Sequence, residues 1–157
     1  MKSVFLVFAL ACGLTAGAQS KDAAKTAAIK ALVESGNYIF RAQTALPMRG
    51  PARQLTSEYD MTFKLPKTIV SYLPYYGRAY TAVDPTKNGM NFTTKDFDYT
   101  VSPRKKGGWD ITIKPKDLKE DIQQLFLTIS QDGYATLRVI SSNRDAISYN
   151  GSILSPQ

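Results

Sequence analysis

Between Leu55 and Leu65 the odd positions Leu55, Tyr59, Met61, Phe63 and Leu65 are apolar, while Thr56, Glu58, Asp60, Thr62 and Lys64 at even positions are polar. Side chains alternate across a strand with period two, so this pattern fits a β-strand with one face in a core and one in water. The same alternation returns along the chain. Tyr38, Phe40, Ala42 and Thr44 oppose Ile39, Arg41 and Gln43, with Pro47, Gly50 and Pro51 ending the run. Thr68 to Leu73 and a short stretch at Phe92 read as further strands. Phe97, Tyr99 and Val101 are answered by Trp109, Ile111 and Ile113 across the basic tip Arg104-Lys105-Lys106-Gly107-Gly108, the pattern of a hairpin. A second hairpin spans Gln123 to Ser130 and Tyr134 to Ser141, and Ile147 to Ile153 follows a turn at Asn143 to Asp145. Pro115 to Glu120 is polar and has room for one turn of helix.

An all-β antiparallel meander of about 8–10 strands follows from this spacing. Rolling it into a closed or partly open barrel removes the edges that a flat sheet must protect. A two-sheet β-sandwich is the alternative that strand count leaves open.

Ahead of the strands, residues 1–18 have the three parts of a signal peptide: Lys2, the apolar run Val4 to Leu14, and the small-residue cleavage pattern Ala16-Gly17-Ala18 before Gln19. An exported protein, periplasmic or secreted, is therefore expected. The alternative is a lipid anchor on Cys12, although Ala9-Leu10-Ala11 lacks leucine where a lipobox requires it. Residues 19–36 read as a helix, with Ser20 as N-cap, Gly36 closing the end, and a weak stripe of Ala24, Ala27, Ala28, Ala31 and Leu32 laid over a barrel mouth or sheet edge. Residues 37–157 form the β-domain.

Cys12 is the only cysteine and histidine is absent. After processing, the chain lacks thiols, disulfides, the usual zinc ligands and the usual general base near neutral pH. The hydrolase elbow, the phosphate-binding glycine loop and the zinc-protease helix motif are missing too. No enzyme activity, cofactor or metal is expected, and the carboxylates Glu58 with Asp60 and Asp96 with Asp98 read as solvated. The precursor carries a formal charge of +7, and processing removes only Lys2. Its basic residues are scattered, so a nucleic-acid partner is not expected.

The least ordinary stretch is YLPYYGRAY, Tyr72 to Tyr80. Read as extended chain, Tyr72, Tyr76, Arg78 and Tyr80 share one side and Leu73, Tyr75 and Ala79 the other, leading into a strand over Tyr76 to Val83 and a turn-rich loop from Asp84 to Gly89. Pro74 marks a bend, and Gly77 permits a bulge or the close approach of a second backbone.

LPYYGRAY, Phe92, Asp98-Tyr99, WDITI at 109–113, GYATLRVIS at 133–141, and Arg144 followed by ISYNG at 147–151 resemble a bacterial family known as domain of unknown function 4251. The resemblance implies export and a lipocalin-like barrel, and no reaction.

Two functions fit. The first is a monomeric binding protein for a small apolar or amphipathic molecule in the barrel, with Tyr76, Tyr80 and Trp109 as lining and Arg78 as anionic anchor. The second is a cell-envelope protein-interaction or structural module using exposed tyrosine and arginine at the corner. A hollow barrel favours the first and a filled one the second.

Overall fold

The computed structural model describes residues 16–80, 89–118 and 121–156, with side chains from residue 21 onward. Most of the expected leader, including Cys12, lies outside the described residues. So do 81–83 of the expected strand, 84–88 of the turn-rich loop, and 119–120.

Among the described residues helix α1 (Ala16–Ser35) precedes ten strands: β1 (Asn37–Pro47), β2 (Arg53–Gln54), β3 (Asp60–Lys64), β4 (Thr68–Tyr72), β5 (Phe92–Thr94), β6 (Phe97–Pro103), β7 (Trp109–Pro115), β8 (Ile122–Ile129), β9 (Tyr134–Ser141) and β10 (Ile147–Leu154). They form one sheet in the order β5-β4-β3-β1-β10-β9-β8-β7-β6, with β2 attached to β1. Every pairing is antiparallel. The end strands β5 and β6 are joined by only Lys95 and Asp96, so the two edges of the sheet lie side by side and the sheet must roll up. The result is a nearly closed barrel with a seam between β5 and β6, and one continuous sheet replaces the two of a sandwich.

Alternation fills the interior. Tyr38, Phe40, Met61, Phe63, Ile69, Ile113, Leu125, Leu127, Leu137, Val139 and Tyr149 are fully buried. At roughly 1.5–3 kcal/mol for each large side chain removed from water, this packing holds a fold without disulfides. Tyr38 stacks on Phe63, ring centroids 4.5 Å apart, and its hydroxyl meets that of Tyr99 at 2.7 Å. That bond ties β1, in the middle of the sheet, to the edge strand β6 across the barrel.

β1 departs from strict alternation. Tyr38, Phe40 and Ala42 are buried as expected, but the register shifts between Ala42 and Thr44, so Ala45 enters the core in place of Thr44. Gly151 lies opposite Ala42 at this bulge, and a β-carbon on it would stand 2.0 Å from the Arg41 carbonyl oxygen. That approach leaves no room for a side chain at position 151.

α1 starts at Ala16, so Ser20 is inside the helix rather than at its cap. The face that docks is Ile29 and Val33, with Leu32 half-buried, whereas Ala24, Ala27, Ala28 and Ala31 are exposed. Larger side chains one turn apart bury more area than the alanines, and that decides the rotation of the helix. Ile29 sits on Gly133 in the β8–β9 turn, and the helix ends against Leu65, capping one mouth of the barrel.

Elsewhere the basic run is a hairpin tip, closed by Arg104 N donating to Gly108 O at 3.0 Å. Of the helical turn expected over Pro115 to Glu120, residues 119–120 lie outside the described residues; Lys116–Asp117 form a bend, where Asp117 accepts hydrogen bonds from Thr94, Lys95 and Asp96, and Ile122 N donates back to Leu118 O at 2.9 Å. No helix of the described residues is long and apolar enough to cross a membrane.

Candidate functional site

The mouth opposite α1 carries the corner motif. β4 ends at Tyr72, and Leu73 turns in to full burial while Tyr72 stays half exposed. Pro74 bridges to Gly89, and its carbonyl accepts the Tyr149 hydroxyl at 2.7 Å. The strand expected from Tyr76 is not formed over 76–80. The segment makes a single bridge, Ala79 opposite Arg144, flanked by Tyr80 N to Asn143 O at 2.8 Å and Asp145 N to Arg78 O at 2.9 Å. A proline without a donor and a glycine within four residues leave too few ladder bonds for a strand.

Tyr75 turns inward and organises the corner. Its hydroxyl lies 3.0 Å from both the Arg78 and the Asp145 carbonyl oxygens. The ring covers Gly77, so the neighbour that excludes a side chain there is Tyr75 itself and not a second backbone. Arg144 lies behind the ring, its guanidinium carbon 5.4 Å from the centroid. It is 7% exposed, donates to Gly89 O and to Asp121 Oδ2, each at 2.9 Å, and leaves its Nε without a partner. The arginine that locks the corner is therefore Arg144, while the Arg78 side chain is exposed.

A groove of about 510 Å³ opens between this corner and the loop after β1. Pro47 ends β1, the chain turns through Gly50 and Pro51, and Arg53–Gln54 pairs back on Ala45 and Thr44. That return places Arg49 and Arg53 on one wall, with Tyr75, Tyr76 and Arg78 on the other and Asp145 between them. Arg53 rests on the Tyr76 ring at 4.8 Å. The Asp145 carboxylate accepts the Tyr80 hydroxyl, and this hydrogen bond first, then desolvation, holds the Tyr80 phenol above its ordinary pKa. Among the described residues, Arg49, Arg53 and Arg78 make no ion pair. Three guanidinium groups thus face a groove whose one carboxylate is already engaged, which is the electrostatics of an anion site.

Of the four residues expected to line a ligand site, Tyr76 and Arg78 border this groove and Tyr80 stands beside it, 62% exposed. Trp109 does not join them. It lies at the helix end, in a separate groove of about 680 Å³ with Val33, Leu65, Phe97 and Tyr99. Eleven residues of β1 separate the two ends. Arg49 and Arg53 were legible only as the residues flanking a Gly-Pro turn, and Asp145 only as a turn residue. Among the described residues no cluster of three potential metal ligands occurs.

The family model described as "Domain of unknown function (DUF4251)" matches residues 20–153. No curated protein matches the chain. Among solved structures, a DUF4251 family protein from Bacteroides eggerthii DSM 20697 superposes with a TM-score of 0.62 at 19% identity, covering 87% of this chain and 91% of that one. At that identity the likeness concerns the fold alone. Matched over most of its length and sharing the family's barrel, this chain belongs to the DUF4251 family.

Proposed function

We propose that this chain is an exported, non-catalytic binding domain that holds an anionic ligand in the groove between Arg49, Arg53 and Arg78. The observation that carries the reading is the gathering around one groove of three arginines that make no ion pair among the described residues. Packing argues against a ligand inside the barrel, because Tyr38, Phe40, Met61, Phe63 and Tyr149 occupy its centre. Binding is thereby assigned to the rim.

Titration with phosphate and citrate, followed by backbone amide shifts, tests the site. Perturbations should cluster at residues 47–53 and 75–78 and disappear when Arg49, Arg53 and Arg78 are all replaced by alanine. Shifts spread equally over the Arg104–Lys106 tip would refute it. Export is tested by intact mass: the protein recovered from the cell envelope or medium should start at Gln19, and a diacylated Cys12 would replace the free form with an anchored one.

A further inference from the structure

We infer that the ligand of this groove is an acidic glycan, a saccharide bearing carboxylate or sulfate groups, whose sugar rings stack on the tyrosine pair Tyr59 and Tyr72. The inference rests on the arginine groove being the binding site. On the outer face of the barrel, where Asp60 pairs with Tyr72, the rings of Tyr59 and Tyr72 lie 5.6 Å apart and 21° from parallel. Tyr72 is 50% exposed. Tyr76 follows Tyr72 by four residues and stands at the groove. Arg53, lying over Tyr76, is the joint between the tyrosine pair and the arginine groove.

Each part answers one feature of a sugar acid. A pyranose has an apolar C–H face with a polar rim, and an exposed phenol ring buries that face without needing a pocket. A guanidinium fork pairs with carboxylate or sulfate, and a chain of such units would place its charges on Arg49, Arg53 and Arg78 while its rings follow the tyrosines. An acidic peptide fits less well. Arginine clusters also recognise acidic peptide motifs, but such a motif brings no flat C–H face to the exposed Tyr72 ring.

Calorimetric titration of the purified protein with oligogalacturonate, with a sulfated dextran oligomer, and with oligoglutamate of matched charge tests the inference. At least one acidic saccharide should bind more tightly than oligoglutamate. Tyr72→Ala should weaken that binding by roughly tenfold with an unchanged melting temperature, and Tyr72→Phe should restore it. Equal binding of oligoglutamate, indifferent to Tyr72→Ala but abolished with the three arginines, would overturn the glycan and leave the anion groove standing. If none of the three anions binds at the groove, both readings fall.

Discussion

Tyr75 folds back over Gly77 so closely that a β-carbon on Gly77 would lie 2.4 Å from the Tyr75 hydroxyl oxygen. The same hydroxyl bonds the carbonyls of Arg78 and Asp145, so it cannot retreat without breaking the corner. Gly77→Ala should cost about 1–2 kcal/mol in urea unfolding, the worth of those bonds. In a Tyr75→Ala background the same change should cost clearly less, because the ring whose Oη and Cζ it meets is gone. Additive losses would show that Gly77 is needed for another reason.

The two arginines of the corner should separate in mutagenesis. Arg144→Ala strands the Gly89 carbonyl and takes from Asp121 its ion-pair partner, leaving that carboxylate with Ser141 Oγ and solvent, and should destabilise by about 1–3 kcal/mol. Arg78→Ala removes an exposed side chain and should change stability by less than about 0.5 kcal/mol while weakening anion binding. A fall in melting temperature for Arg78→Ala matching that of Arg144→Ala would contradict the assignment.

Alkaline sensitivity follows from two buried phenols. Burial first, then Tyr99, holds the Tyr38 hydroxyl far above its ordinary value of 10.0, and burial first, then Tyr75 and Tyr76, does the same for Tyr149. A raised folded-state pKa gives stability that is complete below pH 10 and declines above it, as the unfolded chain ionises alone. Each tyrosine should contribute a slope of about 1.4 kcal/mol per pH unit. Urea midpoints measured across that range should fall, and Tyr38→Phe should make the fall less steep; midpoints that stay level would count against the buried pair.

Acid sensitivity should be local to the seam. Burial opposes ionisation of Asp117, but hydrogen bonds from Lys95 N, Thr94 Oγ1 and Asp96 N outweigh it and hold the carboxyl below its usual 3.8. A depressed pKa gives stability present above the unfolded value and lost as pH falls through the folded one. Asp117 is exposed, so solvent screening limits Asp117→Asn to about 1 kcal/mol near neutrality. Hydrogen exchange should quicken first at Lys95 and Asp96, and protection unchanged there would refute the clamp.

The two hairpins and the half-wet strand at Met61 and Phe63 were legible because alternation and turn residues act within a few positions of one another, although the strand begins only at Asp60, a turn at Ser57–Glu58 replacing the first half of the alternation read from Leu55. Wherever the outcome hung on partners far along the chain, the sequence said less. Its aromatics at 72–80 announced a corner, but which arginine was buried there depended on Arg144 arriving more than sixty residues later. Trp109 and Tyr76 look like one aromatic set in the linear chain, yet the length of β1 puts them at opposite mouths. The bulge at Ala42 was set by a glycine on the neighbouring strand β10, and the helix chose Ile29 and Val33 over its alanines only once there was a barrel mouth to cover.

Period-two patterning and a lone cysteine, which leaves no pair for an internal disulfide, therefore determined, on their own, a β-domain held by apolar packing, because those properties depend on residue type and near neighbours. Tertiary structure alone decided that Arg49, Arg53 and Arg78 share a groove and that Arg144 does not, because charge in a protein acts through distance and burial, and closing the barrel is what sets both.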